Sequence, residues 1–447
     1  MSGKGLTSAK QDRDVQAAHA LADCANDDSN ALAQRQAGRR PRKVLHVFNS
    51  AGGGAALSTL GIIERLRREG ISACAVCHDA GTEGEREQIH QATDGAVLFT
   101  PLYWWNKKIR AALWKRPLIE LRQLMNTGWK RHSAALVTEF ARRHDVELIH
   151  TNTFLTPEGG IAARRLGLPH VWHLRELIGR NQPFRLSIGR AALAQFLGQH
   201  ASLVVANSKA SAAAAGDLIP AEILRVVPNG IDTGAFAIRS RSQAIGGPIV
   251  LAMVASLSSR TKKHNLFIEA AARLNDLAGV EFRIYGHDPS VGGAQRGDAY
   301  VDALHARIQQ LSVADRFRFP GYMVDPAQIM AQIDVLVHPT DNESFGRVVV
   351  EAMAAGLPVV GVRGGGVGEI VVDGETGLLS SPDDPAALAD NIRRVVRDGE
   401  LRRQLGAAGR LRAESVYSLE NCAAGILRVY EEAMALPLGR ETEAPRR

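Results

Sequence analysis

Several features are scarce in this sequence, and each shortage excludes a class of protein. The 447 residues include only four cysteines, Cys24, Cys74, Cys77 and Cys422, which are too few and too scattered for a disulfide framework. No run of about 18 apolar residues occurs, so no membrane-spanning helix is predicted. The N-terminal segment lacks the apolar stretch of a secretory signal. We therefore expect a protein that remains in a reducing cytoplasm.

Cys74 and Cys77 have the spacing of half a zinc site, but no second cysteine pair accompanies them. They lie in an apolar, strand-like run, where residues three apart point to opposite faces of a sheet. We interpret both as structural, because free cysteine behaves as a small apolar side chain.

The chain is long and apolar enough to form two domains, since 45% of its residues are hydrophobic. From Lys43 onward, short β-branched runs alternate with helical patterns, which predicts parallel sheets covered by helices on both faces. The candidate strands form two sets: 44–48, 73–77, 95–100, 148–150, 170–174 and 203–207; then 249–255, 281–286, 317–320, 335–338, 358–362 and 377–380. Two Rossmann-like α/β domains are therefore predicted.

The domain boundaries follow from composition. Residues 1–42 are polar and Ala-rich, so we interpret them as a mostly disordered tail. The first domain is expected at residues 43–232 and the second at 249–415. The polar, glycine-containing segment 233–248 is the predicted linker.

The most informative motif places seven residues between two carboxylates: Glu343-Ser344-Phe345-Gly346-Arg347-Val348-Val349-Val350-Glu351. If a helix starts near Ser344, Glu351 lies roughly 12 Å along its axis from Glu343 and about 80° around it. Carboxylates accept hydrogen bonds from vicinal hydroxyls, so one sugar-containing ligand could contact both. The amides of Ser344, Phe345 and Gly346 would then favour a phosphate at the helix N-terminus. The alternative is that Glu343 only interacts favourably with the helix dipole and that Glu351 is solvated on the helix surface.

The motif and its surroundings resemble the family 4 glycosyltransferases of the GT-B class, whose signature is this pair of glutamates. Residues 335–340 precede it like the strand of that family, and 352–360 follow like its helix and next strand. Segments 364–370 and 373–379 resemble the closing elements of the family. The resemblance is specific over residues 203–396 and weaker over 43–202.

The resemblance implies two Rossmann-like domains that face each other across a cleft, with a final helix in 416–447 that crosses back onto the first domain. It implies a retaining hexosyltransferase whose donor is a UDP- or GDP-linked sugar, with no other cofactor. Glu343 would orient the donor hexose and Glu351 the ribose hydroxyls. Ligands of such domains bind beyond the carboxyl ends of the strands.

A glycine loop, Gly52-Gly53-Gly54-Ala55, separates the first candidate strand from a helical pattern. That pattern is marked by Leu57, Leu60, Ile63 and Leu66 and ends near Gly70. Gly53 and Gly54 could bind a phosphate or admit an acceptor closely. An ordinary tight strand-to-helix turn is the alternative.

A basic loop at residues 256–264 follows the first strand of the second domain, where the family carries an Arg and a Lys that bind the donor diphosphate. Ser256 stands at the expected Arg position, and one residue is inserted before the Lys. Arg260 and Lys262 are the candidate replacements, because cationic groups there neutralise the departing diphosphate, and Lys263 is a further donor contact. A solvated basic loop is the alternative.

His173 lies near the end of the candidate strand 170–174, where a family histidine faces the transferred sugar. Its neutral imidazole could bond a sugar hydroxyl, although a lone strand-end histidine is otherwise a structural residue. Arg175 and Glu176 are either acceptor contacts or an ordinary surface pair.

Residues 101–133 contain eight Lys and Arg against one Glu, and four of the five tryptophans. Trp105, Ile109 and Leu113 recur at helical spacing, which predicts a basic amphipathic helix that binds an anionic membrane or an anionic acceptor. The candidate contacts are Trp104, Trp105, Lys107, Lys108 and Arg110. The alternative is a solvated helix pair with its aromatic residues in the core. Nucleic acid is not expected, because no binding motif accompanies the charge.

The reaction implied is front-face sugar transfer to a glycan or lipid-linked acceptor, in polysaccharide or cell-envelope biosynthesis, by a protein in the cytoplasm or on the inner face of its membrane. Arg260, Lys262 and helix amides would stabilise the leaving diphosphate. No Asp-x-Asp motif is evident where a donor-binding cation would lie, so we expect no metal. Two alternatives stay open: a nucleotide-sugar epimerase, and a non-catalytic membrane- or carbohydrate-binding protein.

Overall fold

The computed structural model describes residues 39–78, 81–103, 106–108, 132–178, 184–186, 190–236, 247–257, 259–286 and 299–436. The predictions for residues 1–38, for Trp104, Trp105 and Arg110, and for most of the segments 101–133 and 233–248 lie outside these ranges. The chain divides into two compact units: Met1–Gly230 with Cys422–Arg447, and Ile231–Asn421.

The strands of the first unit are β1 (Lys43–Phe48), β2 (Ser72–Cys77), β3 (Val97–Phe99), β4 (Asn106–Lys108), β5 (Leu148–Thr151), β6 (His170–Leu174), β7 (Phe184–Leu186), β8 (Leu203–Ala206) and β9 (Leu224–Val226). Seven of them form a parallel sheet in the order β3-β2-β1-β5-β6-β8-β9. β4 and β7 form a separate antiparallel pair.

The helices of the first unit are α1 (Gly53–Arg68), α2 (Glu83–Ala92), α3 (132–143), α4 (Glu158–Leu166), α5 (Arg190–His200) and α6 (Lys209–Ala215). The C-terminal helix, α14 (Leu419–Ala435), belongs to this unit from Cys422 onward. Helix α4 ends where Gly167 adopts a left-handed φ of 63°, a conformation that glycine reaches without a steric penalty.

The second unit contains β10 (Ile249–Val254), β11 (Val280–Tyr285), β12 (Phe317–Gly321), β13 (Val335–His338), β14 (Val359–Val362) and β15 (Leu378–Ser380). They form a parallel sheet in the order β12-β11-β10-β13-β14-β15. Its helices are α7 (His264–Ala272), α8 (Ala299–Gln310), α9 (Pro326–Met330), α10 (Arg347–Ala354), α11 (Val367–Ile370), α12 (Pro385–Arg397) and α13 (Gly399–Val416).

Both sheets confirm the prediction of two Rossmann-like, parallel-sheet domains. In the second unit the spatial order of the strands is the doubly wound order 3-2-1-4-5-6. In the first unit β1 likewise lies between β2 and β5. Ligands of such sheets bind at the point where the strand order reverses, which is between β1 and β5 in one unit and between β10 and β13 in the other.

Two sequence-based expectations are corrected here. Lys107 and Lys108 lie in β4, so the helix predicted through Trp105, Ile109 and Leu113 does not run through residues 106–108. Pairing with a distant strand overrides the local helical spacing at this point. Strand β9 was absent from the predicted set, because three partly buried residues are too short a run to show a period.

The expectation for the cysteine pair is confirmed. Cys74 packs with Leu45 and Val47 on one side of the first sheet, and Cys77 packs with Phe48 and Ile89 on the other. Both thiols are fully buried, and burial raises the pKa of Cys74 to about 12. These are structural residues, as alternation along a strand requires.

Within the part of the chain that the structure describes, no helix is long and apolar enough to cross a membrane.

Candidate functional site

The loops that follow β10 and β13 flank the point of strand-order reversal in the second unit. They are linked by a hydrogen bond of 2.8 Å, which the Thr340 hydroxyl donates to the Thr261 carbonyl. Lys262, at the end of a single 3₁₀ turn, forms an ion pair through Nζ with the Glu343 carboxylate. Two residues 81 positions apart, both predicted from sequence to contact the donor, are therefore in direct contact.

Glu343 is held as a carboxylate by its neighbours. Its side chain is 15% exposed, and Nε2 of the buried His338 lies 3.5 Å from its Oε1. Burial alone would raise the pKa of Glu343, but the nearby His338 imidazole and the positive charge of Lys262 together lower that pKa to about 2. Glu343 is therefore ionised at any physiological pH and can accept hydrogen bonds from ligand hydroxyls.

A glycine loop after β14 packs directly against the backbone of the Glu343 loop. The Gly366 amide donates to the Glu343 carbonyl at 2.8 Å. A Cβ at Gly365 would lie 2.3 Å from that same carbonyl oxygen, and Gly365 has a φ of 50°. Only glycine satisfies both constraints without displacement of the backbone, so this loop sets the position of the Glu343 backbone.

The helix after Glu343 begins later than predicted. Helix α10 starts at Arg347, and its N-cap is Gly346 with a φ of 103°, so Ser344, Phe345 and Gly346 precede the helix. The positive φ of Gly346 interrupts the helical path that the spacing of eight positions assumed. The Phe345 ring is 3% exposed and packs against Tyr417, so only its backbone remains a candidate donor contact.

Glu351 is buried rather than solvated, which removes the alternative interpretation of this residue. It is 5% exposed, and its Oε1 accepts a hydrogen bond of 2.7 Å from Nε of Arg347, one turn earlier in α10. Burial raises the pKa of Glu351, and the Arg347 charge offsets only part of that rise. A buried carboxylate with one cationic neighbour retains capacity for ligand hydroxyl groups.

The other two basic candidates have different partners. Lys263 Nζ lies 2.7 Å from Asp341 and 2.8 Å from Asp383, and these carboxylates raise its pKa against the effect of burial. Lys263 also has a φ of 54°, so it occupies a backbone conformation typical of glycine at the start of α7. Arg260 is exposed, and its guanidinium lies 5.1 Å from the centre of the Tyr300 ring. Of the three, only Lys262 contacts Glu343.

In the first unit, the glycine loop is the beginning of α1 itself. Gly53, with a φ of 86°, and Gly54 are exposed residues of its first turn, which contains no acidic residue. The 16-residue helix presents its positive dipole end after β1, and the carboxylate of Glu85 in α2 lies against its N-cap residue, Gly52. Thr59 of this helix donates a 3.0 Å hydrogen bond to Asn152, which follows β5.

His173 belongs to a buried group on one face of the same sheet. The register pairs His46 with His150, and the pairing of β5 with β6 places His173 on the same face as His150. His150 Nε2 lies 3.2 Å from His173 Nδ1, and His150 Nδ1 lies 2.6 Å from the hydroxyl of Tyr430 in α14. Burial, above all, lowers the pKa of His150 and His173 well below the ordinary value, so both are neutral.

Arg175 and Glu176 do not form a surface pair. Arg175 is 7% exposed and donates to Asn229 at 2.7 Å and to Thr59 at 3.1 Å. Glu176 accepts from the Thr153 hydroxyl at 2.6 Å, and burial raises its pKa despite this hydrogen bond. Both side chains organise the loops at the strand ends of the first unit.

Sequence reasoning missed His338, Asp341, His150 and Tyr430. His338 ends a strand directly before the Glu343 loop, and that position is a signal that was available. Tyr430 and His150 are 280 residues apart, and no local pattern links them. Among the described residues, no group of three or more His, Cys, Asp or Glu side chains is arranged to hold a metal ion.

Comparison with known proteins agrees with this arrangement. The model of Glycosyltransferase Family 4 matches residues 52–235, and the model of Glycosyl transferases group 1 matches residues 236–412. The D-inositol 3-phosphate glycosyltransferase of Nocardioides sp. (strain ATCC BAA-499 / JS614) is 31% identical over 314 residues, which are 65% of this chain and 68% of that protein.

Two further proteins are similar to this chain over different shares of its length. The lipopolysaccharide core biosynthesis glycosyltransferase LpsE of Rhizobium meliloti (strain 1021) is 32% identical over 209 residues, 46% of this chain and 57% of LpsE. The crystal structure of Anabaena HepE in complex with UDP and glucose has a TM-score of 0.67 at 25% identity, over 86% of this chain and 98% of HepE. The chain therefore belongs to glycosyltransferase family 4, and it is a glycosyltransferase with the two parallel-sheet, Rossmann-like domains of the GT-B fold.

Proposed function

We propose that this enzyme transfers a hexose from a UDP- or GDP-linked donor to a glycan or lipid-linked acceptor, with retention at the anomeric carbon and without a metal ion. The contact between Lys262 and Glu343 carries this proposal. It combines a cation suited to a diphosphate with an ionised carboxylate suited to sugar hydroxyls, at the strand-order reversal of the second unit.

The second unit is proposed to bind the donor. Glu343 orients the hexose, and Glu351 accepts hydrogen bonds from the ribose hydroxyls. Lys262 neutralises the diphosphate, together with backbone amides of residues 344–346 and the N-terminus of α10. The complex of HepE with UDP and glucose supports a nucleotide-sugar donor.

The first unit is proposed to bind the acceptor and the transferred sugar. The N-terminus of α1, with Gly53 and Gly54, offers amides and a close backbone approach. His173 is proposed to bond a hydroxyl of the transferred sugar. The neighbouring Arg175 is already bound to Asn229 and Thr59, so we assign it to the support of this site.

Front-face attack suits these groups, because the proposed mechanism needs binding and charge stabilisation rather than a covalent nucleophile. The acceptor hydroxyl attacks on the face from which the diphosphate leaves, and the departing phosphate oxygen takes the acceptor proton. Lys262 stabilises the charge that develops on this oxygen. Arg260 is proposed to act only at the edge of the site, since it is exposed.

Thermal stabilisation by UDP, GDP and ADP tests the donor assignment. A nucleotide present at about 100 times its dissociation constant should add roughly 2.7 kcal/mol to the free energy of unfolding. We expect one nucleotide to stabilise the wild type and to lose that effect in Glu351→Ala. The exposed Glu64, paired with Arg68 on α1, supplies the control variant Glu64→Ala. No response to any of the three nucleotides would contradict a nucleotide-sugar donor.

A lipid-linked acceptor and a peripheral position on the inner face of the cytoplasmic membrane remain proposals drawn from the basic, tryptophan-rich segment 101–133. Co-sedimentation of the purified protein with anionic and neutral vesicles tests them. We expect binding to the anionic vesicles that weakens with added salt, because charge attraction is screened. Equal recovery in the supernatant with both vesicle types would remove this proposal.

A further inference from the structure

The hydrogen-bond chain that ends at His173 begins on the C-terminal helix. Tyr430 is fully buried in α14, and its hydroxyl lies 2.6 Å from His150 Nδ1. His150 Nε2 lies 3.2 Å from His173 Nδ1, and the planes of these two rings differ by only 10°. Three side chains from β5, β6 and α14 thus form one continuous chain.

Each bond of this chain can run in one of two directions, because a neutral imidazole has one protonated and one unprotonated nitrogen. In the first direction Tyr430 donates to His150 and His150 donates to His173, which leaves the His173 proton on Nε2. In the opposite direction His173 donates from Nδ1, and its Nε2 is left as an acceptor. The direction therefore decides what His173 offers to a ligand.

The Tyr430 hydroxyl selects between the two directions. Burial raises its pKa well above the ordinary value, so it keeps its proton. Among the described residues, His150 Nδ1 is the acceptor within hydrogen-bond distance of this hydroxyl. The opposite direction would leave a buried O–H without an acceptor, which costs the desolvation penalty of an unmade hydrogen bond.

We infer that Tyr430 and His150 are positioning residues that hold His173 in the tautomer with its proton on Nε2, so that His173 donates a hydrogen bond to the transferred sugar instead of acting as a base. His173 Nε2 is buried and has no hydrogen-bond partner among the described residues, so this is the nitrogen left for a ligand. The inference rests on the proposed function only for the identity of that ligand.

The histidines of this group do not become protonated at neutral pH. His46 packs beside His150, with ring centres 5.3 Å apart, and burial lowers the pKa of His46 to about 3. The Arg175 charge further disfavours protonation of His46 and His173. Because all three imidazoles are neutral, the proton of the Tyr430 hydroxyl determines the tautomer of His173.

The test is nitrogen-15 NMR of the full chain with labelled histidine rings, with the His173 signals assigned from His173→Asn. We expect protonated Nε2 and unprotonated Nδ1 at His173 in the wild type, and a mixture of both tautomers in Tyr430→Phe. We also expect kcat for Tyr430→Phe to fall about ten-fold while the donor KM stays within about two-fold, as for the loss of one hydrogen bond. Tyr285→Phe, which also removes a buried hydroxyl, should leave the tautomer and kcat unchanged.

A second pair of variants keeps the test decisive if Tyr430→Phe does not fold. His150→Gln retains a donor towards His173 and should preserve the Nε2 proton, whereas His150→Leu should not. A wild-type His173 protonated on Nδ1, or a tautomer unchanged in Tyr430→Phe and His150→Leu, would overturn the inference. Failure of the wild type to bind any nucleotide would instead overturn the proposed donor, because the NMR measurement requires no turnover.

Discussion

Glu343 and Glu351 differ in their surroundings, and we expect this difference to give them different roles. Glu343 is paired with Lys262 and has a lowered pKa, whereas Glu351 is buried beside Arg347 and has a raised pKa. Glu343 is a fixed negative charge beside Lys262, the cation that is proposed to bind the diphosphate. Glu351 is a buried carboxylate, and in the proposed function ligand hydroxyls replace the hydrogen bonds to water that burial has removed.

Kinetics of the two alanine variants test these roles. We expect Glu343→Ala to lower kcat about 100-fold, because it removes the partner that orients Lys262 at the developing charge. Glu351→Ala should mainly raise the donor KM, by about ten-fold or more, as for a lost hydrogen bond to a charged group. Initial rates over a range of donor concentrations separate the two effects. Wild-type rates in both variants would contradict the assignment.

The raised pKa of Glu351 makes stability depend on pH. An acid whose folded-state pKa lies above its ordinary value stabilises the fold below that ordinary value, and this contribution is lost as the pH rises through the folded-state pKa. The wild type should therefore lose stability relative to Glu351→Gln as the pH rises above the ordinary pKa of about 4.5. Denaturant unfolding of both proteins across this range measures the difference. Parallel pH profiles would contradict a buried, unfavourable carboxylate.

At the scale of elements, the loop after β14 holds the Glu343 loop in place. Gly365→Ala introduces a Cβ within 2.3 Å of the Glu343 carbonyl oxygen at a φ of 50°. Gly374 has a φ of 82° but nothing within 4 Å of the added atom, so Gly374→Ala carries the backbone strain alone. We expect Gly365→Ala to lower the free energy of unfolding by at least about 1 kcal/mol more than Gly374→Ala does.

Donor binding should distinguish Gly365→Ala from Gly374→Ala more clearly than the free energy of unfolding does. A shift of the Glu343 backbone moves its carboxylate away from Lys262, so Gly365→Ala should weaken nucleotide binding about ten-fold or more. Gly374→Ala should bind nucleotide like the wild type. Titration calorimetry with the nucleotide that stabilises the wild type gives both values, and equal affinities would contradict this role of the loop.

At the scale of the whole molecule, the first compact unit is discontinuous in sequence. From Cys422 onward α14 belongs to this unit, where Ile426, Tyr430 and Ala433 are fully buried. Glu432 of this helix forms an ion pair with Arg225 of β9, the strand that pairs with β8. The first unit therefore includes a segment that lies more than 190 residues beyond Gly230 in the sequence.

Removal of residues 422–447 should therefore destabilise the first unit selectively. Each large apolar side chain that loses burial costs about 1.5–3 kcal/mol, so the total loss is several kcal/mol. We expect faster amide hydrogen exchange in β1, β5 and β6 of the truncated protein. Exchange in β10 and β13 should change little, and unchanged protection of the first sheet would contradict this role of α14.

Much of the fold could be predicted because it depends on local patterns. β-branched runs bounded by turn residues located β6 and β13 at their observed ends. Spacing and family resemblance named Lys262, Glu343 and Glu351 as donor-site candidates, and that assignment stays a prediction. The start of α10 could not be predicted, because the left-handed φ of Gly346 breaks the helical path, and the side chains that lie beside this glycine, Val367 and Ile370, belong to another element. The burial of Glu351 was missed because its exposure depends on elements distant in sequence.

The sequence by itself determined the two-domain α/β architecture, most of the strands of both parallel sheets and the paired-glutamate motif, since hydrophobic period and turn residues act over a few positions of the chain. Only the tertiary structure decided which charged groups meet, because pairing follows the order of strands in a sheet. The contact of Lys262 with Glu343 spans 81 positions, and that of His150 with Tyr430 spans 280. Such contacts exist only after non-local folding has brought the strand ends and the C-terminal helix together.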